Sequence, residues 1–177
     1  MHLPITREIF LLAAALSTYV SPACAIYTED PTIIDSIVSI EQTLNLFARS
    51  VDTHDYALLD SVFSPDATAN FATPAGFVDG LPAIKTELQT ALTGTVSHHA
   101  LSTHMISVTG NQNTMASASA YLQGTYFGQG NLTGQIQTTY GRHSYDDLLT
   151  LSSVGWRVYN RTLVVTATIG SEQIFPA

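Results

Sequence analysis

The spacing of apolar positions changes once along the chain. From Pro31 to Ser50, PTIIDSIVSIEQTLNLFARS sets Ile33, Ile34, Ile37, Ile40, Leu44 and Phe47 at helical spacing. A short helix is expected over Tyr56 to Phe63, after the turn DTHD, and ATANFAT reads as a short strand. GLPAIKTELQTALTG reads as a third helix, with Pro82 near its start and Gly94 just past its end. Beyond Gly94 the period falls to two. Thr- and Ser-rich alternating segments run from Val96 to Val108, Thr114 to Phe127, Gln135 to Leu151 and Gly155 to Ile169. TGNQN, GQGNLTG and SSVG separate them, and all three are turn-forming strings. Helices first and long strands afterwards predict an α+β domain. Its curled antiparallel sheet packs on the N-terminal helices and forms a cone-shaped pocket, a natural small-molecule site.

Composition narrows the setting. The chain has 177 residues, 45% of them hydrophobic and only 11% charged, which fits one domain with a sizeable core. Its formal net charge is −8 and its six Lys and Arg are scattered. Without a basic stripe to neutralise phosphates, no nucleic-acid partner is expected. Residues 1–25 read as a secretory signal: Arg7 precedes the apolar run IFLLAAALSTYV, and SPACA ends it with the small residues Ala23 and Ala25. That run is shorter than the roughly 20 residues a membrane-spanning helix needs. The folded domain is then 26–177, located in the secretory pathway or outside the cell, with no membrane partner after signal removal. Two glycosylation triplets, Asn131-Leu-Thr and Asn160-Arg-Thr, agree with that route. The sole cysteine, Cys24, falls inside the signal, so the mature chain would hold neither disulfide nor thiol nucleophile.

Three of the six histidines, His98, His99 and His104, crowd one segment, TVSHHALSTHMISVTG. In a strand His98 and His99 point to opposite faces. His98 and His104 share a face under strict alternation but stand about 20 Å apart at 3.3 Å per residue. Zinc ligands all lie about 2 Å from the ion, so no metal site is expected here. Neither row of the alternation is cleanly apolar, so periodicity leaves open which face looks inward. His98 and His104 are read as surface imidazoles and Trp156 as core. Asp52 is a second candidate, because a carboxylate at a helix C-terminus meets the unfavourable end of the dipole. Burial there would raise its pKa toward the range of a general base.

Three strings carry a resemblance: FARSVDTHDYALLDSVFSPDA, SHHALSTHMISVTGNQNTMASASAYL and GRHSYDDLLTLSSVGWRVYNRTL. Together they resemble the SnoaL-like branch of the nuclear-transport-factor-two-like superfamily, which includes scytalone dehydratase. The likeness implies a cofactor-independent dehydratase, isomerase or cyclase working by proton transfer on a small natural-product intermediate of polyketide or terpenoid type. It implies an acid/base set of Asp52, His99 and His143, with His99 facing the pocket. Phe71, Tyr121, Tyr140 and Asn70 are the implied substrate-binding residues, and Arg142 and Tyr145 further polar candidates. Val51 and Phe71 stand where scytalone dehydratase holds a water with two tyrosines, so the same water-assisted step is not implied. A homodimer through the outer sheet face is also implied by the family. Two other readings stay open: a cyclase or pericyclase that mainly orients a reactive intermediate, and a non-catalytic binding module of the same fold.

Overall fold

The first helix, α1, spans Pro31–Asp52 and buries the face formed by Ile40, Leu44, Phe47 and Val51, each at most 2% exposed. The computed structural model describes residues 31–71, 76–141 and 146–171, which, apart from Pro31, lie in one compact unit. Ile34, near the helix start, is half exposed, so the buried face begins later than the apolar pattern does. A 3₁₀ turn, Tyr56–Ser61, follows. The helix expected to reach Phe63 stops short, because Phe63 opens strand β1 (Phe63–Asn70). Strand β2 (Phe77–Asp79), which the sequence pattern did not announce, pairs with β1 antiparallel. Helix α2 (Leu81–Ala91) then turns Leu81, Ile84 and Leu88 into the core.

Two of the expected long segments each divide. Strands β3 (Thr95–Thr109) and β4 (Met115–Gly128) form a long hairpin. The segment expected over Gln135 to Leu151 gives β5 (Ile136–Gly141) and β6 (Asp146–Ser152). That expected from Gly155 to Ile169 gives β7 (Gly155–Thr162) and β8 (Val165–Gly170). The reason is pairing. Beside the edge of β4 away from β3, β5 takes residues 122–127 and β6 takes 115–118. One strand cannot hold a straight register against both halves of a curling neighbour.

The sheet order is β2-β1-β7-β6-β4-β5-β8, with β3 on the other edge of β4. The fully antiparallel expectation needs correction, because β1 and β7 run parallel and the curled sheet is mixed. A parallel pair needs a long crossover, and everything from β2 to β6 supplies it. The inner face carries Ala116, Ala118, Leu122, Leu149, Trp156 and Val158 against the helices, with Trp156 only 3% exposed. Asp147 and Arg161 join this core as a fully buried pair, its two bonds 2.7 and 2.6 Å long. The Arg161 guanidinium lies 4.1 Å from the centre of the Phe47 ring.

A bulge between Ser102 and Met105 resets β3. Thr103 adopts φ 52°, a left-handed conformation that a β-branched residue rarely takes. Before the bulge, residues 95, 97, 99 and 101 face inward; after it, 104, 106 and 108 do. The expectation that His98 and His104 share a face is therefore overturned. His98 is exposed on the outer face, whereas the His104 side chain is 17% exposed on the inner one, 3.8 Å from Glu41 of α1.

Candidate functional site

Because β3 pairs only with β4 among the described residues, its far edge leaves backbone N–H groups without a ladder partner. At His99 the end of α1 fills that place. The His99 amide donates to Oδ2 of Asp52 at 2.8 Å, and the Ser97 hydroxyl donates to Oδ1 at 2.9 Å. The His99 ring meets the same carboxylate, Nδ1 to Oδ1 at 2.6 Å. Three donors thus converge on one carboxylate at the unfavourable end of a helix dipole, which explains how the charge is tolerated there. The Asp52 side chain keeps 20% exposure and that of His99 only 5%.

Burial pushes the Asp52 carboxyl up, but the bonds from the His99 ring and amide, the imidazole charge and Ser97 outweigh it. The net effect holds Asp52 below the ordinary 3.8. The expected upward shift is thereby corrected. An ionised carboxylate only accepts, so the His99 nitrogen that faces it carries a proton. On the far side of the ring, Nε2 lies 3.1 Å from the Tyr126 hydroxyl, and the two rings meet edge to face at 5.5 Å. Burial, and then the charge of Asp52, push the Tyr126 phenol up to about 12, so it stays protonated at neutral pH.

The sequence pattern gave no sign of Tyr126 or Ser97 as site residues. The available signal was Gly124. It sits opposite His99 in the ladder, and a Cβ there would come within 3.0 Å of the Tyr126 hydroxyl. The missing side chain is what lets the phenol lean back toward the imidazole.

The other expected site residues are dispersed. Phe71 is buried and stacks on Phe47 within the core, 6.5 Å between ring centres. Asn70 is exposed opposite Thr162, on the outer face. Tyr121 and Tyr140 line an outer-face groove of about 460 Å³ with Ser102, Gln123 and Ala167, away from Asp52 and His99. They fall there because β4 and β5 keep strict alternation, with Leu122, Gly124 and Tyr126 inward and Tyr121 outward. A second outer groove, about 480 Å³, is lined by Met105, Ser107, Ser119, Leu148 and Asn160. Neither groove contains a paired acid and base, so chemistry rather than size singles out the inner face. His143, Arg142 and Tyr145 lie outside the described residues. Among the described residues, no group of three or more His, Cys, Asp and Glu side chains is placed to hold a metal, and no helix is long and apolar enough to cross a membrane.

The comparisons agree with this architecture. A family model described as a SnoaL-like domain matches residues 32–162. A Kribbella flavida protein superposes with a TM-score of 0.69 at 16% identity, covering 77% of this chain and 95% of its own. A candidate scytalone dehydratase from Novosphingobium aromaticivorans gives 0.66 at 20%, covering 82% and 93%. A hexachlorocyclohexane dehydrochlorinase from Novosphingobium barchaimii gives 0.65 at 12%, covering 84% and 98%. At these identities the likeness is one of fold. No curated protein matches the chain in sequence.

Proposed function

The chain belongs to the SnoaL-like domain family, and from that premise we propose that it is a cofactor-independent lyase or isomerase acting by proton transfer on a small molecule. The observation that carries the reading is the 2.6 Å contact of Asp52 with Nδ1 of His99, at a carboxylate held ionised by two further donors. A carboxylate so placed fixes one imidazole tautomer and stabilises the imidazolium that forms when the ring takes a proton. Such a pair can remove a proton α to a carbonyl and return one to a leaving hydroxyl. Two structural relatives carry elimination enzymes in their descriptions, a dehydratase and a dehydrochlorinase, which supports elimination as the reaction class. The substrate in this reading is a natural-product intermediate of polyketide or terpenoid type.

The test compares metabolites of a strain lacking the protein with those of the parent, and then assays the accumulated compound with purified enzyme. His99→Ala should lower turnover by about a hundredfold or more, the usual range for a lost general acid–base, while the protein stays folded. Wild-type turnover in that variant would remove His99 from the mechanism. The proposal also includes export through the secretory pathway after removal of residues 1–25, and a homodimer formed through the outer sheet face.

A further inference from the structure

A buried serine hydroxyl is costly unless it is bonded. Ser97 lies on the inner face of β3, 6% exposed, two residues before His99. In a strand that spacing sets the hydroxyl and the imidazole on one face, about 7 Å apart along the chain. The end of α1 brings Asp52 against both. Its Oδ2 takes the His99 amide at 2.8 Å, which fixes one oxygen. Its Oδ1 takes two donors at once, the Ser97 hydroxyl at 2.9 Å and Nδ1 of the His99 ring at 2.6 Å.

Sharing one oxygen has a chemical consequence. A hydroxyl donated to Oδ1 draws off part of the negative charge that would otherwise face the ring. The imidazolium formed when His99 takes a proton is then held less tightly. A group that must take up a proton and give it back works best when neither state is trapped. Among the described residues, the titratable groups that face the ring are Asp52 from α1 and Tyr126 from β4. The inward residues of β5 beside them, Gln137 and Thr139, carry none. On β3 itself, Ser97 adds a donor that brings no charge of its own and does not titrate with the pair.

Building on the proton-transfer reading above, we propose that Ser97 is a positioning residue for the Asp52–His99 pair. Its hydroxyl holds Oδ1 in place and, by sharing that oxygen with Nδ1, loosens the grip of the pair on a proton. Ser97 neither receives a proton nor passes one on; it acts only through the carboxylate. Asp52 and His99 titrate as one coupled unit, so the effect falls on both protonation steps. Losing the hydroxyl removes a donor that favours the anion, so both steps move to higher pH.

The test follows the His99 ring and the Asp52 carboxyl by ¹⁵N and ¹³C NMR titration of the full-length protein, without substrate. Ser97→Ala should raise the proton affinity of both steps by at least about threefold, a fraction of what a hydrogen bond to a charged group is worth. Ser97→Thr keeps the hydroxyl on a side chain suited to a strand and should restore the wild-type titration. Thermal melting checks the fold of each protein. If the Ala form melts early, Ser97→Cys, a weaker donor of similar size, carries the test with a smaller shift in the same direction. A purely space-filling role for Ser97 would move the melting temperature and leave the titration where it was, and that result would overturn the inference. A shift to lower pH would overturn it equally, since the hydroxyl would then be strengthening the pair. Activity is read on nitrobenzisoxazole, a carbon acid that general bases open to a coloured cyanonitrophenolate. There the acid-side loss of rate in Ser97→Ala should move up in pH together with the ring titration. A wild type no faster than His99→Ala would sink the proton-transfer reading, while the titration decides the Ser97 assignment by itself.

Discussion

Two carboxylates in this protein show how surroundings decide what a charge does. Asp52 is ionised by its three donors, so its folded pKa lies below its unfolded one. Its contribution to stability is then complete above pH 3.8 and is lost as pH falls through the lower folded value. Denaturant unfolding at a series of acidic pH values should show wild type losing stability more steeply below that point than Asp52→Asn. Equal slopes would mean that the three donors do not discriminate between the charged and neutral forms. Asp147 presents the opposite case, since it faces a fully buried guanidinium. Asp147→Ala is expected to cost about 3–5 kcal/mol, because it strips the carboxylate from a buried cation. Asp60→Ala, which breaks an ion pair whose carboxylate is 63% exposed, should cost under about 1 kcal/mol. Chemical denaturation of the two variants checks the contrast.

Among the elements, the β3–β4 hairpin does most to build the site. Its bulge turns His104 inward, and the left-handed Thr103 is strained by about 1 kcal/mol relative to glycine. Thr103→Gly should therefore raise the melting temperature by a few degrees; a fall would show that the threonine side chain holds the bulge in place. On β4, Gly124→Ala puts a methyl group 3.0 Å from the Tyr126 hydroxyl. Displacement of that hydroxyl from Nε2 should appear as a changed His99 ring-nitrogen shift in a protein that still folds. This hairpin was readable as two strands in the sequence, but the bulge was not. No glycine or proline marks it, and a single inserted residue inverts every later facing.

For the molecule as a whole, the outer sheet face is unusually apolar for a surface. Val96, Met105, Met115, Phe127, Ile136 and Ile169 are each at least 38% exposed. If this face joins two copies, as the family resemblance implies, sedimentation should give twice the chain mass, and Phe127→Asp should shift it toward the monomer. The two glycosylation triplets also differ once folded. Asn131 is exposed in a 3₁₀ turn, whereas the Asn160 amide donates to Thr68 at 2.8 Å from within β7. In protein made through a secretory pathway, Asn131→Gln should remove the glycan mass and Asn160→Gln should leave it.

What the sequence determined by itself was local or periodic. Helical spacing placed α1 to within two residues of its end, and the change of period at Gly94 marked where the long strands begin. The three resemblance strings pointed to the family and to Asp52, His99 and His143; the fold brings Asp52 and His99 within a hydrogen bond, and His143 lies outside the described residues. Tertiary structure decided everything that depends on partners remote in the chain. Ser97 and Tyr126 converge with Asp52 only because α1 closes on the free edge of β3 while β4 pairs with the other edge. Strand splitting, the parallel β1–β7 pair and the outward placement of Tyr121 and Tyr140 follow from register. The direction of the Asp52 shift was the same kind of decision. Burial alone would raise that pKa, and only the folded arrangement brings the donors that lower it.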